Sequence, residues 1–140
     1  MIVVDTGPIV AATFLNDKNH ERCVQEFVRL KKANRPLLVP SFVAAESCYM
    51  LGRLGGPKAE AAFVRLLESG WFRLVDLTES DLARIAVLVE RYHDLPLGAA
   101  DASVVAVAER TRIAEVMTVD VRDFSVVRPI HTPAFTLLPA

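Results

Sequence analysis

The chain has 140 residues, 52% hydrophobic and 24% charged, which are the proportions of a folded globular protein rather than a disordered or fibrous one. Its 16 basic and 17 acidic side chains give a net charge of −1, without the basic excess of an electrostatically driven nucleic-acid binder; with four acids counted as neutralised by cations, the balance becomes 16 against 13, which permits RNA. No cationic segment leads into an apolar run at the start and no apolar stretch approaches ~18 residues, so neither signal peptide nor membrane span is expected, and the protein is expected in the cytoplasm.

Ile2-Val3-Val4 is a short β-branched strand ending at Asp5, and Gly7-Pro8 opens a helix to about Leu15, with Pro tolerated in the first turn where its missing N–H costs nothing. Asn19 is the expected cap of a second helix whose apolar stripe is Cys23, Phe27, Val28 and Leu30. Leu37-Leu38-Val39 is a second strand, stopped by Pro40, and Ser41 is placed to cap a third helix to about Leu54. Gly55-Gly56-Pro57 predicts a turn before a fourth helix reaching Ser69. A third strand is expected within 71–77, then a helix capped by Thr78-Glu79-Ser80-Asp81 and running to about Tyr92. Leu95 to Gly98 is a loop before a helix from Ala99 to about Thr111, and Val116 to Val119 is a fourth strand ending at Asp120. A small turn precedes Ser125-Val126-Val127, and Phe135 to Leu138 suits an edge strand. Short apolar strands alternating with helices predict an α/β fold: one domain over residues 1–140, with a parallel sheet of four to five strands flanked by helices. Cys23 and Cys48 lack metal-type spacing and read as two thiols inside apolar helical patterns.

Certain carboxylates fall where solvation alone does not explain them. Glu46 has Phe42, Val43, Tyr49 and Met50 as its helical neighbours, and Asp101 lies in the apolar run from Ala99 to Ala108. A buried carboxylate costs several kcal/mol, roughly, without a counter-charge or metal, and neither helix offers a matching Arg or Lys. Asp5 and Asp120 each follow an apolar strand, and ligands in open parallel sheets bind beyond the carboxyl ends of strands. Each acid also has a plain structural alternative: Asp5 as a helix cap, Asp101 as a partner of the helix dipole, Asp120 and Asp123 as turn residues, Glu46 as a snorkelling or paired side chain. Taken together, convergence on a hard divalent cation accounts for all of them with one cause. His20, His93 and His131 lack pairing or metal spacing, which disfavours a histidine-driven, metal-free ribonuclease.

The stretches Ile2 to Pro8, Val43-Ala44-Ala45-Glu46, Leu95 to Ala102 and Thr118 to Phe124 resemble, in order and spacing, the PIN-domain family, and within it the VapC-type toxins of type II toxin–antitoxin pairs. The resemblance covers the full chain. It implies a PIN fold, an α/β/α sandwich; an endoribonuclease activity dependent on Mg²⁺ or Mn²⁺, with one or two ions; a homodimer; and a cognate VapB-type antitoxin that blocks the site. It also implies that Asp5, Glu46, Asp101 and Asp120 form the acidic set, with Asp123 as the alternative fourth acid and Thr6 and Thr118 in support. Metal-activated water would attack the phosphodiester, leaving a 5′-phosphate. Arg122, next to the fourth acid, is the first candidate for phosphate contact, ahead of Arg53, Lys58, Arg84 and Arg91. Two other readings stay open: a PIN-like protein-binding module without catalysis, and a metal-dependent DNA nuclease or phosphohydrolase. A receiver-type domain would need paired acids after the first strand, where Thr6-Gly7 stands instead.

Overall fold

The structure is a computed structural model that describes residues 1–140. Five parallel strands, β1 (Ile2–Val4), β2 (Leu37–Pro40), β3 (Arg73–Val75), β4 (Glu115–Met117) and β5 (Thr136–Leu138), form one sheet in the order β3-β2-β1-β4-β5. Six helices complete the chain: α1 (Thr6–Thr13), α2 (His20–Lys32), α3 (Ser41–Glu68), α4 (Glu79–Arg91), α5 (Ala99–Thr111) and α6 (Val121–Val126). The expected α/β architecture, a parallel sheet flanked by helices, is therefore the one observed.

The apolar strands explain the sheet's centre. Ile2, Val3, Val4, Leu37, Val39, Val116 and Met117 are fully buried, as both faces of a helix-covered parallel sheet require. Helix α5 is buried almost throughout, from Ala102 to Ala108, and its Ala and Ser positions keep it slim enough to lie against β1 and β2. From β1 the chain steps outward through β2 to β3, then crosses back to place β4 on the other side of β1. The strand order therefore reverses between β1 and β4, and the crevice beyond their carboxyl ends is where such sheets bind ligands.

Several local expectations are corrected. The break expected at Gly55-Gly56-Pro57 is not among them: Gly56 (φ 75°, ψ −175°) is non-helical, a backbone that glycine adopts without strain, and α3 is two helices joined across this kink. Pro40 rather than Ser41 occupies the N-cap of α3, and Asn19 caps α2 without a side-chain hydrogen bond. Residues 121–126 are a helix, because Asp120 accepts the Asp123 N–H and Phe124 is buried. The capping box at Thr78 and Asp81 forms as expected. No helix is long and apolar enough to cross a membrane.

Candidate active site

Asp5 leaves β1 at the reversal point and sits at the N-cap of α1, only 4% exposed. Its backbone N–H donates to the Met117 carbonyl (2.9 Å), which stitches the exit of β1 to the exit of β4. Its side chain does not cap the helix. Oδ2 instead accepts the Thr118 hydroxyl (2.9 Å), while Oδ1 is buried without any partner. The Thr118 Oγ1 in turn accepts the Asp120 N–H (2.9 Å), so one hydroxyl orients both acids. The Thr6 hydroxyl is likewise buried and unpartnered.

β4 ends at Met117, two residues earlier than the sequence pattern implied, so Asp120 does not directly follow the strand. It is the N-cap of α6 and accepts the Asp123 N–H at 3.3 Å. Asp101 stands in the first turn of α5, three residues past the N-cap Gly98. Glu46 corrects another expectation. Helix α3 buries Val43, Ala44, Ser47 and Leu51, and this turns Glu46 onto the adjacent exposed face, where it lines a shallow groove with Phe42, Ala45, Ala99 and Ala100.

The electrostatics join these residues. Burial, then the Asp101 charge and, more weakly, Glu46 push the Asp5 carboxyl up to about 7, against the opposing pull of the Thr118 hydroxyl and the Thr6 backbone N–H. Burial followed by the Glu46 charge pushes Asp101 up to about 6, with smaller contributions from Asp120 and Asp123. Asp123 is raised by burial and by its contact with Asp120, and Arg122 partly offsets this. All five acids thus share one field, and none belongs to an ion pair. Arg122 is exposed beside them, whereas Arg84 is engaged in a two-point pair with Glu109 and is removed as an RNA contact. The histidines do not join the cluster: His20 and His131 bond to backbone carbonyls, and His93 lies exposed beside Asp94.

The donors at this rim are carboxylates and a threonine hydroxyl, an all-oxygen set suited to hard divalent cations. The orphaned Asp5 Oδ1 is the atom that most needs such a partner, because a buried, unpaired carboxylate oxygen is expensive. As the side chains stand, no three His, Cys, Asp or Glu groups are arranged to hold an ion. The fit is therefore one of chemistry and mutual field rather than of a closed cage.

Comparison with known proteins agrees with this architecture. The PIN domain family model matches residues 2–128, and the chain belongs to the PIN-domain family. It is 31% identical over 138 residues to Ribonuclease VapC26 of Mycobacterium tuberculosis, covering 99% of this chain and 100% of that protein. Among solved structures, VapC20 of Mycobacterium tuberculosis, a Sarcin-Ricin loop cleaving toxin, has a TM-score of 0.72 at 21% identity, over 83% of this chain and 87% of that one. VapBC2 from Rickettsia felis, bound to a DNA fragment from its promoter, has a TM-score of 0.69 at 18% identity, over 98% and 97% of the two chains.

Proposed function

We propose that this protein is a divalent-metal-dependent endoribonuclease of the VapC type, the toxin of a toxin–antitoxin pair. The observation that carries the chemistry is the burial of Asp5 beside Asp101, with one carboxylate oxygen unpaired and no basic residue bonded to either acid. Like charges kept at such cost at a sheet's ligand-binding crevice are the mark of a site that works with a cation. The family and the near-full-length similarity to a VapC ribonuclease supply the substrate class, RNA.

Asp5, Asp101 and Asp120 would hold the ion, one or two of Mg²⁺ or Mn²⁺, with Glu46 contributing directly or through water and Asp123 as the alternative to Asp120. A cation bound there lowers the pKa of water and offsets charge on the phosphoryl oxygens. The chain's own part is positioning. Thr118 ties Asp5 to the Asp120 backbone, the first turn of α5 carries Asp101, and the exposed Glu46 lines a groove with Ala99 and Ala100. Arg122, exposed next to the fourth acid, would meet a backbone phosphate. A VapB-type antitoxin and a homodimer complete the reading; the similarity in fold to VapBC toxin–antitoxin assemblies supports the former.

The test is cleavage of a mixed RNA substrate by wild type, Asp5→Asn and Asp101→Asn, with Mg²⁺, Mn²⁺ or chelator. The expected result is metal-dependent cleavage that falls by at least ~100-fold in each variant, in the range for loss of a group stabilising transition-state charge. Cleavage indifferent to chelator and to both substitutions overturns the proposal.

A further inference from the structure

Three ties bind the exit of β1 to the exit of β4. Two are polar: Asp5 N–H to the Met117 carbonyl, and the Thr118 hydroxyl to Asp5 Oδ2. The third is steric. Gly7, in the first turn of α1, faces Val119, the residue between Thr118 and Asp120. A Cβ added at Gly7 would lie 2.5 Å from Val119 Cγ2, 3.7 Å from its Cβ and 3.8 Å from its backbone nitrogen. Ordinary carbon–carbon contacts lie at about 3.5–4.0 Å, so one methyl group would demand a displacement on the order of 1 Å. Val is stiff at χ1, and the Val119 backbone joins Thr118, whose hydroxyl holds Asp5 and the Asp120 N–H, to Asp120 itself.

We infer that Gly7 is a positioning residue: by lacking a side chain it lets Val119 seat on α1 and so sets the spacing between Asp5 and Asp120. This inference rests on the nuclease reading above. Gly7 is not among the residues with positive φ, so the backbone does not need glycine there. On helix propensity alone, Ala at this helical position stabilises by roughly 0.5–1 kcal/mol. The close approach to Val119 is what the glycine serves, and a catalytic spacing altered by about 1 Å costs on the order of 10²-fold in rate.

The experiment compares wild type, Gly7→Ala, Val119→Ala and the Gly7→Ala/Val119→Ala double variant, reading RNA cleavage, Mn²⁺ affinity by titration calorimetry and thermal midpoint. Gly7→Ala should lower kcat/KM by about 10- to 100-fold and weaken Mn²⁺ binding. In the Val119→Ala background the same substitution should have no effect, because the methyl group then has room. Equal activity and Mn²⁺ affinity in Gly7→Ala and wild type overturn the inference, as does a loss that persists undiminished in the Val119→Ala background. If Gly7→Ala does not fold, recovery of fold and activity in the double variant supports the inference, and failure of the double variant overturns it. A wild type that neither cleaves RNA nor binds Mn²⁺ refutes the nuclease reading itself, an outcome distinct from any of these.

Discussion

Thr118 and Asp5 are 113 residues apart in sequence, yet the threonine hydroxyl donates to the aspartate's Oδ2 across adjacent strand exits at 2.9 Å. The Thr118 Oγ1 also accepts the Asp120 N–H, so its only proton is committed to Asp5. Replacing Thr118 by Val keeps the shape and removes both bonds, leaving a buried carboxylate and a backbone N–H short of a partner. A loss of about 1–3 kcal/mol in stability is expected, together with a rate loss of at least ~10-fold, while Thr118→Ser retains most of both. Chemical denaturation and cleavage kinetics on the two variants check this, and equal behaviour of Val and Ser would remove the hydroxyl from the account.

Asp101 yields a prediction of opposite sign for stability and function. Burial and the neighbouring Glu46 raise its carboxyl to about 6, so at pH 7.5 without metal its charge opposes folding. In chelator, Asp101→Asn should therefore be more stable than wild type by about 1–2 kcal/mol, less than the full shift because the carboxyl is partly open to solvent. Adding Mn²⁺ should raise the melting temperature of wild type and leave the variant nearly unmoved. A variant destabilised in chelator would show that the acid is held by contacts other than the shared field.

The course of the chain explains why some of this was legible in the sequence and some was not. Asp5 declared itself because a three-residue apolar strand ends on it, and the sheet rule then assigns its side chain to the ligand rim. Asp101 stood out because α5 is apolar on nearly every face, so any charge within it is conspicuous. Glu46 drew attention for a reason the fold does not honour: its apolar neighbours belong partly to an exposed face, and Phe42 and Tyr49 are themselves exposed. The helix α6 was invisible because Val-Arg-Asp-Phe-Ser-Val has no helical period over so few residues; its start is set by the Asp120 cap, a tertiary consequence of how Thr118 holds that loop. The Gly7–Val119 approach lies beyond sequence reasoning altogether, since nothing local says which residues two separate loops bring within a methyl group's reach.

Away from the site, Asp81 gives the fold one acid-sensitive contact. Burial alone would raise its carboxyl, but hydrogen bonds from Arg110 and Thr78 outweigh this and hold it below the ordinary value of 3.8. A depressed folded-state pKa means that the contribution is present above the unfolded value and is lost as pH falls through the folded one. Wild type should therefore lose stability as pH drops below about 4, whereas Asp81→Asn should show a shallower fall and be less stable at pH 7 by about 1–3 kcal/mol. Urea unfolding at a series of pH values measures both, and parallel curves for the two proteins would deny Asp81 this role.

The two acids of the closing segment can be separated by what each does for the backbone. Asp120 caps α6 through its carboxylate, and Thr118 holds its backbone N–H, so both its side chain and its backbone are anchored. Asp123 lies in the first turn of that helix, and its carboxyl is raised by burial and by Asp120 rather than held by any donor. Asn is as good an N-cap as Asp, so Asp120→Asn should preserve the helix and the melting temperature while removing the charge. Its rate should fall by about 10²- to 10³-fold, and Asp123→Asn by no more than about 10-fold, if the better-oriented acid is the one that works. Mn²⁺ affinity should follow the same order. The reverse order in cleavage and in metal affinity would assign the fourth place to Asp123 and leave Asp120 as the cap that carries it.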